Sequence, residues 1–255
     1  SRCGLKTLLI EKNSTIGGLT TLGLVNPFMK YWLDEEVLVK GIFYELTERL
    51  KKNYGIFYNT VDSELMKIEM MKMIKKSKVE LLLRTMVIDV ESTKDKINSL
   101  QVQSSNGEKF NIESDFFVDA SGDGIVGYLS GNECLVGDMK GNNQALTIMF
   151  TIGGVDFTEV VEDVRSDPNN FFAWVSPNME VISVAGYFKE IEEAKKEGHN
   201  LPIDHFFYVQ LPGDNRVTVN TMNISKNAID NLKLSRSVVD GTIMVDQIFN
   251  FAKKY

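Results

Sequence analysis

The chain has 255 residues, of which 43% are hydrophobic and 25% are charged, a composition typical of a globular protein with a substantial core. The formal net charge of -7, with no basic stretch to offset it, argues against a nucleic acid or an anionic membrane as a partner. Two cysteines, Cys3 and Cys134, and two histidines are too few for a four-cysteine iron–sulfur cluster or an ordinary zinc site. No apolar run is long enough to span a bilayer, and the low cysteine count favours a cytoplasmic location.

The first segment, Ser1–Lys6, has the pattern of a helix end with Gly4 as its stop signal. A helix end with nothing before it predicts that the chain is a fragment lacking an upstream strand and helix. The last predicted helix ends in charged residues with no strand after it, which predicts a truncation at the C-terminus as well.

A short apolar run followed by an acid and two glycines is the first informative stretch. Leu8–Ile10 predicts a strand buried in a parallel sheet, and Glu11 stands at its carboxyl end. In a dinucleotide-binding sheet, an acid at the end of the second strand accepts hydrogen bonds from the adenosine ribose. Gly17 and Gly18 leave room for backbone to approach a ligand. An ordinary strand with a surface glutamate and a flexible turn explains the same residues.

Residues 19–28 are predicted to form a loop along a ligand or an interface, because Pro27 excludes a central strand. Asp34 is predicted to cap a helix from about Glu35 to Lys52, and a second helix is predicted from about Ser63 to Lys76. The methionines of the second helix fit either core packing or a plastic binding groove.

Strands dominate the next part of the chain. The predicted strands are Val79–Leu83, Met86–Val90, Ile97–Ser104, Lys109–Ile112 and Asp115–Asp119, with a hairpin turn at Asn106-Gly107. The last of them leads into the glycine-rich turn Ala120–Gly124, whose backbone amides suit a polar ligand. The alternative is a tight strand-to-helix turn capped by Asp123.

The second half mixes strands and helices. The predicted strands are Ala145–Gly154, Phe206–Leu211 and Arg216–Met222, the last two joined by Pro212–Asn215, and the predicted helices are Phe157–Arg165, a charged helix closed by Gly198, and Ser235–Tyr255. Boundaries near Gly153-Gly154 and Asn223 divide the chain into residues 1–152, an inserted β-rich part at 153–223 and a return at 224–255.

Five blocks, taken in order, resemble the FAD-dependent oxidoreductase family, which is related to the glutathione-reductase-like flavoproteins. They are LLIEKNSTIGGLTT, DSELMKIEMMKMIKKSKVELLLRTMVIDV, FFVDASGDGIVGYLSG, ALTIMFTIGGVD, and RVTVNTMNI with the final helix. The resemblance implies an α/β fold: an FAD/NAD(P)-binding, Rossmann-like parallel sheet with a β-meander and an inserted substrate or cap domain. The family's G-x-G-x-x-G phosphate loop would precede Ser1, in line with an N-terminal truncation.

The resemblance also implies FAD as the cofactor and a set of residues that bind it. Glu11 would hold the adenosine ribose, with Lys12 beside the adenine, and Val87 would meet the adenine edge through its backbone. Gly17, Gly18 and Thr20 would lie along the pyrophosphate and ribityl side, and Ala120, Gly122 and Asp123 would line the adenosine end or the pyrophosphate.

The function predicted from this resemblance is a flavin-dependent oxidoreductase that acts on an unidentified small molecule, with no catalytic residue assigned. Trp174, Tyr187, His205 and Phe207 are candidates for covering the flavin, although ordinary packing explains each, and Cys134 is expected to be a buried structural thiol. The alternative is a non-catalytic binding or assembly subunit that keeps the fold without FAD, and a homo-oligomer is a further option. An electron-transfer subunit of the heterodisulfide-reductase kind lacks cluster cysteines in this sequence.

Overall fold

A computed structural model describes residues 1–213, 215–224 and 229–255. Asp214, part of the predicted turn before the last strand, lies outside the described residues. The chain folds into two units, one formed by Ser1–Ile16 with Met70–Val136 and the other by Gly17–Glu69 with Gly137–Tyr255. The predicted boundaries near residues 153 and 223 separate a cofactor-binding part from an inserted part, whereas these two units are divided by compactness. The predicted boundaries therefore stay a prediction.

The strands, in chain order, are β1 (Leu8–Glu11), β2 (Trp32–Leu33), β3 (Glu36–Val37), β4 (Ile56–Phe57), β5 (Thr60–Val61), β6 (Glu80–Leu83), β7 (Thr85–Thr93), β8 (Lys96–Ser104), β9 (Lys109–Glu113), β10 (Phe150–Gly153), β11 (Ser183–Gly186), β12 (Phe206–Gln210) and β13 (Arg216–Val219). The α-helices are α1 (Gly18–Thr21), α2 (Ile42–Lys52), α3 (Ser63–Ser77), α4 (Ile125–Leu129), α5 (Phe157–Ser166), α6 (Phe188–Lys196) and α7 (Asn231–Lys254), and a 3₁₀ turn covers Pro168–Asn170. None of these helices, in the part of the chain that the structure describes, has the length and apolar character needed to cross a membrane.

The first unit combines a parallel strand pair with an antiparallel meander. β1 pairs in parallel with β6, from Leu8 opposite Glu80 to Glu11 opposite Leu83. β7, β8 and β9 form the predicted meander, with the β8–β9 turn at the expected Asn106-Gly107. The buried core of this unit is Val90, Leu100, Val102 and Val126, and Ile10 of β1 packs against it. The apolar β1 strand therefore holds its carboxyl end beside the meander.

A one-residue bulge interrupts β7. Val87 lies opposite Val102 and Asp89 lies opposite Gln101, so Ile88 is the extra residue. Because side chains alternate along a strand, the extra residue lets Val87 and Val90 both face the core while Asp89 is exposed.

The second unit is built around an antiparallel sheet in the order β10-β13-β12-β11. Its core draws on this sheet and on α5, α6 and α7, with Val164, Val184, Val219 and Ile248 among its fully buried residues. α7 begins earlier than predicted, at Asn231, because Asp230 accepts hydrogen bonds from the Leu232 and Lys233 amides and caps it.

Two predicted elements are wrong in type or length. Residues 35–41 are not helical: β2 and β3 form a hairpin with Asp34 in the turn at φ +50°, and α2 begins only after Gly41. The predicted strand Ala145–Gly154 is reduced to β10. Residues 1–6 contain a turn in which the Gly4 amide donates to the Ser1 carbonyl, and Gly4 has φ +85°, the left-handed conformation expected of a helix stop.

The predicted strand Asp115–Asp119 is also wrong. In the described part of the chain no strand pairs with this segment, and Phe116 and Val118 are 84% and 87% exposed. A short apolar run gives a strand only where a neighbouring strand completes the hydrogen-bond ladder. Here the sequence has the pattern and the fold gives it no partner.

Candidate functional site

The residue after β1 and the glycine-rich turn meet within the first unit. Lys12 Nζ lies 3.1 Å from Asp123 Oδ2. The two side chains are 59% and 73% exposed, so this ion pair contributes little to stability. The contact is informative because it joins two stretches, 111 residues apart, that both carry predicted cofactor-binding residues.

Glu11 is half-buried at the end of β1, and its carboxylate is held in place locally. Glu11 Oε1 accepts hydrogen bonds from the Asn13 backbone amide and from Asn13 Nδ2, each at 2.8 Å. The Asn13 carbonyl accepts in turn from the Arg84 amide at 2.9 Å, which ties the loop to the end of β6. Because both bonds end on Oε1, Oε2 keeps its capacity to accept hydrogen bonds from a ligand.

Asp119 shapes the turn that carries Asp123. Its carboxylate accepts hydrogen bonds from the backbone amides of Ser121 (3.0 Å), Val126 (2.9 Å) and Gly127 (3.1 Å), and so caps α4. Desolvation by burial raises the pKa of Asp119, but the hydrogen bonds from Ser121, Gly127 and Val126 outweigh it and hold that pKa below its ordinary value. The cap of this strand-to-helix turn is therefore Asp119 and not Asp123.

The glycines of this turn leave its outer side open. Gly122 and Gly124 have φ of +80° and +68°, which favours glycine, and a Cβ built on either would meet no described atom within 4 Å. Ala120 is also exposed. Backbone is thus accessible at the position where a ligand was expected.

Val87 lies in the same unit as Glu11. It stands in β7 next to the Ile88 bulge, its side chain packs against the meander core, and β7 is in contact with β1. Its side chain is occupied by packing, so only its backbone is available to a ligand, as expected.

Gly17, Gly18 and Thr20 belong to the second unit. Gly17 has φ +106°, and a Cβ there would come within 2.4 Å of Thr21 Cγ2, so α1 itself requires this glycine. Gly18, at φ +51°, has open space beside its Cα. The Thr20 carbonyl accepts a hydrogen bond of 2.6 Å from Ser63 Oγ.

A buried amide that no sequence pattern predicts holds this loop. Asn26 is 2% exposed, and its Nδ2 donates to the Val61 carbonyl (2.9 Å) and to Ser63 Oγ (2.8 Å). Ser63 Oγ in turn donates a hydrogen bond to the Thr20 carbonyl. Among the described residues Asn26 Oδ1 has no hydrogen-bond partner. Asn26 is a positioning residue for the loop after Gly18, and its partners are too distant in sequence for any local pattern to reveal them.

The residues considered for covering a flavin differ in their surroundings. Tyr187 packs against Phe171 and Phe206, and its hydroxyl lies 2.9 Å from that of Tyr208. Burial raises the pKa of Tyr187 to about 12, and burial also raises the pKa of Tyr208 above its ordinary value. Core packing therefore explains Tyr187.

Trp174 is exposed and contacts Phe207 edge to face, and His205 lies edge to face on Phe172. Cys134 is exposed, so its expected burial is wrong. It lies in a segment of turns and bends that provides no core to bury it.

The first unit offers groups that suit the adenosine end of FAD. Glu11 provides an oriented, half-buried acceptor, Lys12 and Asp123 provide polar groups close by, and the turn around Gly122 exposes backbone amides. Ribose hydroxyls are donors, and a carboxylate at a strand end is the acceptor that such sites use. The residues present fit this part of the cofactor.

Comparison with known proteins assigns the family. A model of the FAD dependent oxidoreductase family matches residues 1–255, and the chain therefore belongs to this family. FAD is the cofactor of the family, which confirms the predicted cofactor and supports an FAD-binding, Rossmann-like α/β fold. No curated protein matches the sequence.

Among solved structures, the chain is similar to a myxobacterial chondrochloren halogenase, CndH, described as a variant of FAD-dependent halogenases. The identity is 16% and the TM-score is 0.39, over 86% of this chain and 47% of the halogenase. The chain thus spans about half the length of that enzyme.

Proposed function

We propose that this chain is part of a flavin-dependent oxidoreductase in which Glu11 accepts hydrogen bonds from the ribose of the FAD adenosine. The observation that carries the proposal is the 3.1 Å contact of Lys12 with Asp123, which places the strand end that bears Glu11 beside the open glycine turn. The match of the whole chain to an FAD-dependent family supports it.

The other binding residues have complementary roles in this proposal. Lys12 lies beside the adenine, and the Val87 backbone meets the adenine edge. The turn residues Ala120, Gly122 and Asp123 line the adenosine end or the pyrophosphate. Gly17, Gly18 and Thr20 lie along the pyrophosphate and ribityl side of FAD.

Bound FAD would supply the redox chemistry, while the chain binds and orients it. We propose a small-molecule substrate, in keeping with the charge of -7, which disfavours nucleic acid. The family assignment does not favour the alternative of a non-catalytic subunit without FAD.

The test measures FAD binding to the full chain and to the Glu11→Ala variant. Quenching of flavin fluorescence is the signal that reports binding. Loss of charge-assisted hydrogen bonds, worth about 1.5–3 kcal/mol, should weaken FAD binding by roughly one to two decades. Glu113→Ala is the matched control, because Glu113 is an exposed glutamate that also ends a strand.

Unchanged FAD affinity in Glu11→Ala would remove Glu11 from the site. A chain that folds and binds no FAD at millimolar concentration would overturn cofactor binding by this chain and favour the non-catalytic alternative.

A further inference from the structure

The second unit contains a cleft of about 410 Å³ at the end of the loop that the sequence predicted to lie along a ligand. One side is formed by Pro27–Lys30, and the β4–β5 turn at Tyr58 and Asn59 continues it. The other side is formed by Glu180, Val181 and residues of β11 and β12. Its volume lies within the range of small-molecule sites.

Aromatic rings line both sides and are held by further rings behind them. Phe28 packs edge to face on Phe43 at 5.1 Å between centroids, and Tyr58 packs on Trp32 at 5.0 Å. On the opposite side, Phe207 contacts Trp174. Rings fixed in this way present preformed apolar surfaces that suit the faces and edges of another aromatic ring.

The loop and the turn are also fixed to each other through their backbones. The Phe28 amide donates to the Asn59 carbonyl at 2.8 Å, and Asn59 Nδ2 donates to the Phe28 carbonyl at 2.6 Å. Tyr58 between them has φ +57°, a left-handed conformation that a non-glycine residue adopts at a cost. The aromatic side of the cleft is therefore held by mutual hydrogen bonds.

Two opposite charges complete the lining. The Lys30 ammonium lies 6.0 Å from the Trp32 ring centroid, and in the described part of the chain it has no carboxylate partner. Glu180 accepts a hydrogen bond from the Tyr58 hydroxyl and retains further acceptor capacity. A ligand with a single charge would meet one repulsive group, whereas a ligand with both charges can satisfy both.

We infer that this cleft binds a small aromatic zwitterion of the aromatic amino acid class. The ring lies between Phe28, Tyr58 and Phe207, the ammonium group faces Glu180 and the carboxylate faces Lys30. This inference does not depend on FAD, and its test contains none.

The test titrates the full chain with L-phenylalanine, with phenethylamine, which lacks the carboxylate, and with 3-phenylpropanoate, which lacks the ammonium group. The only tryptophans in the sequence are Trp32 and Trp174, which contact the cleft-lining Tyr58 and Phe207, so intrinsic fluorescence reports on the cleft. L-Phenylalanine should bind about tenfold more tightly than either analogue, since one charge-assisted hydrogen bond is worth about 1.5 kcal/mol or more.

Two variants assign the charges. Lys30→Gln should abolish the preference for phenylalanine over phenethylamine and keep the preference over 3-phenylpropanoate, and Glu180→Gln should do the reverse. Lys233→Gln and Glu193→Gln are exposed controls on α7 and α6 that should change neither preference. All four positions are exposed, so the variants should fold.

Absence of any fluorescence change with millimolar phenylalanine would overturn the inference. Equal binding of the three ligands, or preferences that survive both variants, would overturn it as well.

A separate observation concerns the outer face of α7. Leu232, Val239 and Ile243 are 62%, 59% and 56% exposed, at spacings of seven and four residues, and so form one apolar stripe. On the inner face Ile248 is fully buried, and a Cβ at Gly241 would come within 2.5 Å of Ile224. The stripe therefore points away from the core of its own unit.

Arg236 and Asp246 lie on the same stripe, each five residues from Gly241. In the described part of the chain neither has an ion-pair partner. Two copies of α7, packed antiparallel through their outer faces about a two-fold axis level with Gly241, would place Arg236 opposite Asp246 of the second copy and Val239 opposite Ile243. We propose that a second copy of this chain covers the stripe, in a weak dimer with a micromolar dissociation constant because one helix pair is a small interface.

Sedimentation equilibrium of the full chain up to about 200 μM tests this dimer. Arg236→Asp and Asp246→Arg should each weaken it about tenfold or more through like charges, and the double variant should restore it. A monomer at the highest concentration would overturn the proposal, as would a double variant no better than the single ones.

Discussion

Replacing Asp119 by alanine removes the acceptor of three backbone amides, those of Ser121, Val126 and Gly127. If these amides were buried away from water, the loss of three charge-assisted hydrogen bonds would cost several kcal/mol of stability in total. Asp119 is exposed, however, so water replaces much of what is lost, and the cost should be close to that of an N-cap, about 1–2 kcal/mol. Asp119→Asn keeps an acceptor and should cost less.

Hydrogen exchange of the Val126 and Gly127 amides measures this effect where it arises. A loss of about 1–2 kcal/mol should speed their exchange roughly 5- to 30-fold, without a matching change in β8. Because the folded-state pKa of Asp119 is lowered, its stabilisation is complete above the ordinary value of 3.8 and is lost as the pH falls through the folded-state pKa. The difference between wild type and Asp119→Ala should therefore be constant near neutral pH and shrink below pH 3.8.

The control is Asp115→Ala, an exposed aspartate in the same segment that caps no helix. If both variants had the same exchange rates at Val126 and Gly127, the assignment of the cap to Asp119 would be refuted. A difference between wild type and Asp119→Ala that grew on acidification would contradict the sign of the pKa shift.

The remaining predictions concern the second unit. Asn26→Ala should lower the free energy of unfolding by about 2–3 kcal/mol in urea, because two buried donors are lost, and Asn26→Asp should cost at least as much. Gly186→Ala should be severely destabilising in thermal melts, because its Cβ would lie 2.5 Å from the Phe171 ring and 2.6 Å from its backbone; a midpoint within 2 °C of wild type would disprove this. The difference between absorbance titrations of wild type and Tyr187→Phe should show one tyrosine ionising near pH 12, and a difference near pH 10 would contradict the burial of Tyr187. Tyr208→Phe should remove the hydroxyl pairing and cost about 1 kcal/mol.

Elements fixed by local signals could be predicted from the sequence. α3 begins at the predicted Ser63 and ends within one residue of the predicted end, because helical spacing and an N-terminal aspartate, Asp62, act over neighbouring residues. The hairpin at Asn106-Gly107 is as expected, because its turn type depends on those two residues.

Elements that depend on distant partners could not be predicted. The apolar pattern of Glu35–Lys52 fits one helix, yet the β2–β3 hairpin occupies its first turns. The segment Asp115–Asp119 has the composition of a strand, but pairing decides the outcome.

The candidate site shows the same division between local and distant signals. Glu11, Lys12 and the turn around Asp123 can be predicted, because an acid at a strand end and a glycine cluster are visible in the sequence. The cap of α4 has a local signal, because Asp119 stands two residues before Ser121 and accepts a hydrogen bond from the Ser121 amide. Asn26 had none, since the groups it bonds lie 35 and 37 residues away.

The extra residue in β7 has a consequence for how this region can tolerate change in length. Deleting Ile88 would remove this bulge and leave Val87 and Val90 two residues apart on a regular strand, so that both would still face the core and Asp89 would stay exposed. β7 can therefore lose one residue at this position without turning its inward side chains toward water. Homologous chains should therefore differ by one residue at this bulge more readily than within the continuous pairing of β8 with β9.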